Sequence, residues 1–199
     1  EMVGKLIIAT DESELPALEV LYRRGLQNGV DGLRMVDEAE IRKIEPHSVG
    51  IRGIYSPNTG IIDYHRVSQS YADDFLNLGG TIILRAAVKN ISRLSAKLNI
   101  ESTNGNFSVT HIVNCAGLYA DKIAEMMGEK IDVRIIPFRG EYFLIKKDSS
   151  TKVNGLIYPV PDPKMPFLGV HFTRRMDGAV EAGPSAVMAF RREGYTKTD

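Results

Sequence analysis

Apolar positions recur at helical spacing in several stretches. Leu15, Leu18, Leu21 or Tyr22, and Leu26 predict a helix over 13–29, stopped by Gly29. Asp37-Glu38-Ala39-Glu40 has the form of a capping box, an acidic N-cap with Glu three residues later, and opens a short helix ending before Pro46. Val67, Tyr71, Phe75 and Leu78 form the stripe of a helix over 64–78, with Asp63 as its cap and Gly79-Gly80 as its stop. A further helix runs from Tyr119 to Met127 and ends at Gly128. Strand-like runs cover 5–10, 33–36, 53–56, 81–84, 88–94, 98–102 and 107–114, then 133–145, 156–160, 167–174 and 179–187. Asn104-Gly105 and Asp177-Gly178 are hairpin turns. Pro159, Pro161, Pro163 and Pro166 stiffen a surface connection. Helices and strands alternate early and antiparallel strands dominate late, which predicts an α+β fold: a mixed, largely antiparallel sheet with flanking helices.

Composition narrows the function classes. Lys and Arg total 25 and Asp and Glu total 25, so the chain lacks the basic excess of a nucleic-acid binder. One cysteine, Cys115, excludes an internal disulfide or a cysteine-based zinc cluster. The four histidines, His47, His65, His111 and His171, are too scattered for a local metal site, and no metal is expected. Neither GxGxxG, Walker A, HExxH nor GxSxG occurs. A strand begins almost at Glu1 and the chain ends in a polar tail, so a piece of a longer protein is expected.

Three stretches go further. They are 113–121, a buried strand passing through the small-residue turn Cys115-Ala116-Gly117 into a helix; Ile136-Pro137-Phe138-Arg139-Gly140-Glu141-Tyr142; and Gly155 to Pro163 continuing through Phe167 to Arg174. Together they resemble the FAD-dependent L-2-hydroxyglutarate dehydrogenase/oxidase family, within the D-amino-acid-oxidase-like flavoproteins. The resemblance implies oxidation of L-2-hydroxyglutarate to 2-oxoglutarate by hydride transfer to flavin, with quinone or oxygen as electron acceptor. It also implies that the GxGxxG unit lies outside these 199 residues, and that the piece alone binds FAD weakly or not at all and is inactive. Under it, residues 1–80 and 129–199 belong to the substrate domain and 81–128 to part of the FAD domain. A cytoplasmic location is expected, with peripheral membrane association of the parent as the alternative.

The same resemblance assigns roles. His171, in a Gly-Val-His-Phe context, would be the general base for the substrate hydroxyl. Tyr158 would border the substrate pocket, or serve as a core aromatic. A dicarboxylate substrate calls for a guanidinium partner, Arg139 first and Arg174 second. Cys115, Ala116, Gly117, Val88 and Gly140 would run beside the cofactor. Cys115 is read as a small buried residue rather than a nucleophile, and Val88 as an adenine contact or an ordinary core valine. The alternatives are a related flavoprotein acting on an amino acid, a methylated amine or glycerol 3-phosphate, and, from another class, a non-catalytic binding domain.

Overall fold

A computed structural model describes residues 1–165 and 167–196 of the chain. Pro166 and the end of the polar tail, 197–199, lie outside the described residues. The chain packs as two compact units, one of residues 1–67 and 139–187, the other of 68–138 and 188–199.

The first unit is built on a seven-stranded sheet. Its elements are β1 (Lys5–Ala9), α1 (Leu15–Gln27), β2 (Arg34–Asp37), α2 (Glu38–Ile44), β3 (Arg52–Ser56) and the start of α3 (Tyr64–Asn77). The chain returns with β7 (Phe138–Leu144), α5 (Lys147–Ser150), β8 (Leu156–Pro159), β9 (His171–Arg174) and β10 (Val180–Met188). The strand order is β2-β3-β1-β8-β9-β10-β7. β1 runs antiparallel to β3 and parallel to β8, while β8 with β9 and β9 with β10 are antiparallel. This is the mixed, largely antiparallel sheet that the sequence predicts.

Strand alternation gives the sheet two apolar faces. Leu6, Ile8, Val36 and Ile41 form one cluster, joined by Tyr55 and Ile157, so this face lies under α2. Ala9, Leu18 and Ile54 form the other, joined by Ile7 and Met35, under α1. Each helix follows from local chemistry. Asp37 accepts the Glu40 backbone N–H at 2.9 Å and Glu40 reaches back to the Asp37 N–H, the predicted capping box. A second such box, Asp11 with Glu14, sets the single 3₁₀ turn before α1 and goes unremarked in the sequence reading.

One buried carboxylate ties the two halves of this unit together. Glu45, immediately after α2, is 2% exposed. Its oxygens accept the backbone N–H groups of Asn154, at 2.9 and 3.1 Å, and Gly155, at 2.7 Å. The Asn154 side chain in turn donates to Ile44 O at 2.9 Å. Gly155 has no room for a side chain, since a Cβ there would sit 2.5 Å from Val3 O. These contacts deliver the chain into β8 in register with β1, Leu156 opposite Lys5 and Tyr158 opposite Ile7.

The second unit carries the rest of α3, the meander β4 (Val88–Leu94), β5 (Lys97–Ser102) and β6 (Gly105–Val109), and α4 (Ala120–Met126). The Asn104-Gly105 turn joins β5 to β6 as predicted. Several expectations need correction. Residues 81–84 form no strand, and Leu84 is 75% exposed. The strand expected over 107–114 ends at Val109, leaving Val113 exposed. Among the described residues neither run has a neighbouring strand, and β-propensity without a pairing partner does not make a strand. The α3 stripe exists, but Tyr71, Phe75 and Leu78 remain uncovered. The run over 133–145 contributes only β7, and 167–170 precede β9 as coil.

Removing the Glu45 carboxylate leaves the buried Gly155 N–H and the part-buried Asn154 N–H without an acceptor, at about 1–3 kcal/mol for the buried one. Glu45→Ala in the full-length protein is expected to lose about 2–4 kcal/mol of stability, and Glu45→Gln, which keeps one acceptor oxygen, distinctly less. Chemical denaturation midpoints check both.

Candidate functional site

The α1 face of the sheet continues beyond the helix onto strands that carry polar side chains. Alternation places Lys5 with Ile7 and Ala9, and Tyr158 opposite to Ile157. Since Phe172 pairs with Ile157, His171 and Thr173 share the face of Tyr158. The Tyr158 and His171 rings stack, with centroids 3.9 Å apart and planes 13° from parallel. The Lys5 ammonium lies over the Tyr158 ring, 3.9 Å from its centroid. Beyond His171 the paired residue of β10 is Gly183. A Cβ there would press within 2.7 Å of the Tyr142 ring, so the missing side chain admits Tyr142. Lys5, Tyr158, His171 and Tyr142 thus form a row across adjacent strands of one unit.

His171 is 5% exposed, and its Nδ1 lies 2.8 Å from Gly169 O. A carbonyl only accepts, so Nδ1 carries the proton and Nε2 of the neutral ring holds the basic lone pair. Burial holds the Tyr158 phenol above its ordinary pKa, opposed by a hydrogen bond with the Thr173 side chain. Tyr158 is therefore a protonated donor at neutral pH. Burial also lowers the pKa of the Lys5 ammonium.

A cavity of about 620 Å³ opens on this face, lined by Leu156, Tyr158, Thr173, Arg174 and Arg175 together with the 60–64 segment. Tyr158 contributes to it directly; His171 reaches it only through the stacked ring. The arginines differ in their partners. Arg175 is held by Glu181 at 2.8 Å and Asp177 at 3.4 Å. Arg139, on β7, pairs with Glu141 at 2.8 Å. Arg174 donates to the neutral Val153 O at 3.2 Å and makes no ion pair among the described residues. Asp63 caps α3, accepting the His65 N–H at 3.0 Å. Gly140 is explained by packing: a Cβ there would lie 3.1 Å from Pro184 Cβ.

The remaining candidate residues lie in the second unit. Val88 is half-buried and opens β4 opposite Ser102. Cys115, Ala116 and Gly117 form a turn into α4, and Cys115 is exposed rather than buried because the strand before it stops short. Gly117 has φ +52° and open space where a Cβ would stand. The turn is fixed from both sides. Asn114 accepts the Ala116 N–H at 3.2 Å and donates to Ala120 O at 2.8 Å. Arg192 donates to Leu118 O and forms a bidentate pair with the buried Asp121, at 2.6 and 2.5 Å. Asp121 also accepts the backbone N–H groups of Lys122 and Ile135.

Comparison with known proteins now bears on this geometry. The model of the family described as FAD dependent oxidoreductase (DAO) matches residues 1–199. The chain belongs to the FAD dependent oxidoreductase family. It is 49% identical to L-2-hydroxyglutarate dehydrogenase of Indibacter alkaliphilus, over 100% of this chain and 50% of that protein. It is 46% identical to the mitochondrial L-2-hydroxyglutarate dehydrogenase of Homo sapiens, over 98% of this chain and 45% of that protein. The chain thus spans about half the length of the curated relatives it matches. Among solved structures, L-alpha-glycerophosphate oxidase from Mycoplasma pneumoniae with FAD bound superposes with TM-score 0.86 at 26% identity, covering 98% of this chain and 53% of that one. L-proline dehydrogenase from P. horikoshii shares the fold, with TM-score 0.81 at 17% identity over 96% of this chain and 50% of that one.

This FAD dependent oxidoreductase chain offers a turn that suits close approach of a cofactor. No side chain of Cys115-Ala116-Gly117 is bulky, and the turn is exposed and rigidly held. A GxGxxG turn is absent from its sequence, so the usual pyrophosphate-binding glycines are not among these residues. Among the described residues no three His, Cys, Asp or Glu side chains are grouped to hold a metal ion. The sequence reading missed Lys5, Thr173 and Tyr142 in the row, and Asp121 with Arg192 beside the turn. No motif marks them; only the register of strands far apart in the chain brings the row together.

The Asp121 carboxyl is held at a pKa of about 2, chiefly by the hydrogen bonds from Arg192. An unfolded Asp titrates near 3.9. The contribution of the pair is therefore fully present above about pH 4 and lost as pH falls toward 2. Acid titration of full-length wild type and Asp121→Asn is expected to show a lower melting temperature for the variant at pH 7. The gap should close across that acid window.

Proposed function

We propose that this chain supplies the substrate-binding part of an FAD-dependent dehydrogenase that oxidises L-2-hydroxyglutarate to 2-oxoglutarate. The observation that carries the reading is the 49% and 46% identity to L-2-hydroxyglutarate dehydrogenases across essentially all of this chain. The cavity lined by Tyr158 and Arg174 supports it. Arg174, which donates to a neutral carbonyl and makes no ion pair among the described residues, suits a substrate carboxylate, whereas the charge of Arg139 is already matched by Glu141. Tyr158 is a phenol donor in the same wall. The family resemblance gives His171 the role of base for the substrate 2-hydroxyl; its Nε2 is the basic nitrogen, fixed by the Nδ1–H bond to Gly169, and it stands behind the Tyr158 ring rather than in the cavity wall. FAD, when bound, supplies the acceptor for the two electrons leaving C2. Val88 and the turn Cys115-Ala116-Gly117 are the residues of this chain proposed to lie along it.

Glycerol 3-phosphate is the second reading, favoured by the structural likeness to the glycerophosphate oxidase, since a guanidinium receives phosphate as well as carboxylate. The electron acceptor, quinone or oxygen, and a cytoplasmic location form part of the proposal. Among the described residues no helix is long and apolar enough to cross a membrane. Cell fractionation distinguishes soluble protein from a membrane-associated parent.

Anaerobic addition of L-2-hydroxyglutarate to the full-length flavoprotein is expected to bleach its visible flavin band. Bleaching by glycerol 3-phosphate instead overturns the substrate. In the same protein Arg174→Met is expected to raise KM roughly 10- to 100-fold, the loss of one charge-assisted bond, with a smaller effect from Arg139→Met. His171→Ala should lower kcat by a factor of about 10² to 10⁴; wild-type turnover would remove it as the base.

A further inference from the structure

Lys5 is the least explained charged group of the first unit. It sits on β1, half-buried, with its ammonium against the face of Tyr158. A cation taken partly out of water normally finds a carboxylate. Lys5 makes no ion pair among the described residues; its ammonium meets the Tyr158 ring. A ring quadrupole replaces only part of the lost hydration. Lys5 stands one residue behind the cavity wall: its register partner Leu156 and the ring against its ammonium, Tyr158, both line the cavity.

The charges around that cavity can be counted. Arg175 is paired with two carboxylates, Glu181 and Asp177, which leaves one negative charge in surplus there. Asp63 is engaged with the N-terminus of α3. Two cations remain without an anionic partner among the described residues, Arg174 in the wall and Lys5 behind it. What matters is placement rather than net charge: Arg174 and Lys5 stand on either side of Tyr158 with no carboxylate of their own among the described residues, and two such cations suit a ligand with two negative groups.

We propose that Lys5 is a specificity-determining residue of this site: its ammonium, seated on the Tyr158 ring, receives the second carboxylate of a dicarboxylate substrate while Arg174 receives the first. The inference rests on the dehydrogenase reading above for the identity of the substrate. It goes beyond that reading in naming the group that separates a dicarboxylate from the monocarboxylate that lacks its second carboxyl group. A lysine suits this task, because a compact ammonium accepts an end-on carboxylate without the planar geometry that a guanidinium demands.

The test uses redox-inert ligands, so that binding is read separately from turnover. Glutarate and butyrate are titrated calorimetrically into the full-length flavoprotein, as wild type, Lys5→Met and Lys5→Arg. Methionine keeps the buried stem and removes the charge; arginine keeps the charge. Lys5→Met is expected to weaken glutarate about tenfold or more and to leave butyrate within about twofold, with Lys5→Arg recovering most of the glutarate affinity. Equal weakening of both ligands overturns the proposal, because it reports a Tyr158 ring that has merely lost its support. Unchanged glutarate affinity overturns it as well. If Lys5→Met does not fold, loss of the glutarate-over-butyrate preference in Lys5→Gln takes its place, and a retained preference overturns the proposal. Wild type that binds glutarate but is not reduced by L-2-hydroxyglutarate refutes the dehydrogenase reading and leaves the role of Lys5 to the binding data.

Discussion

The first unit depends on the carboxylate of Glu45. A parallel pair such as β1 and β8 has no tight turn to set its register, and here nearly 150 residues of chain separate the two strands. Glu45 replaces the missing turn. By accepting the N–H groups of Asn154 and Gly155, it fixes the two residues that precede β8 to the end of α2, which itself packs on β1 through Ile41. A slip of one residue would turn Tyr158 to the face of Ile157 and dismantle the stack with His171. The neighbouring carbonyl, Val153 O, receives Arg174, so the same short segment also holds a guanidinium of the cavity.

What could be read from the sequence was what is decided locally. The capping box at Asp37 and Glu40, the Asp63 cap, and the turns at Asn104-Gly105 and Asp177-Gly178 involve partners within a few residues, and the structure contains each of them. Burial is decided elsewhere. The stripe Tyr71-Phe75-Leu78 has helical spacing and does form a helix, yet spacing carries no information about what covers it. The runs at 81–84 and 110–114 have the composition of strands and lack neighbours to pair with.

The candidate site divides along the same line. His171 and Tyr158 were found through resemblance of whole stretches, and the stacking of their rings follows from β8–β9 pairing that no local pattern reveals. Lys5 was invisible for a stronger reason. In sequence it is the polar first residue of an apolar strand, the ordinary appearance of a solvent-facing end. Only the parallel register with β8 brings that end against Tyr158, a residue of the cavity wall. Gly183 is the converse case: its lack of a side chain is what lets Tyr142 extend the row.

Charge compensation then separates residues that composition treats as equivalent. Arg139, Arg174 and Arg175 carry the same group within one unit, and motif resemblance ranks Arg139 first. A guanidinium already paired with a carboxylate must lose that partner, or share it, before it binds an anionic substrate, and the exchange returns little free energy. Arg139 and Arg175 are in that position. Arg174 is not: its bond to a backbone carbonyl orients the group while leaving its net charge available. Lys5 is held by an aromatic face in the same sense, oriented without being neutralised. A site that receives a doubly charged anion needs cations positioned by neutral groups, because pairing them with protein carboxylates would cancel the attraction that recognises the ligand. Under the proposed dicarboxylate reading, the backbone carbonyl at Arg174 and the tyrosine ring at Lys5 are two solutions to that one requirement.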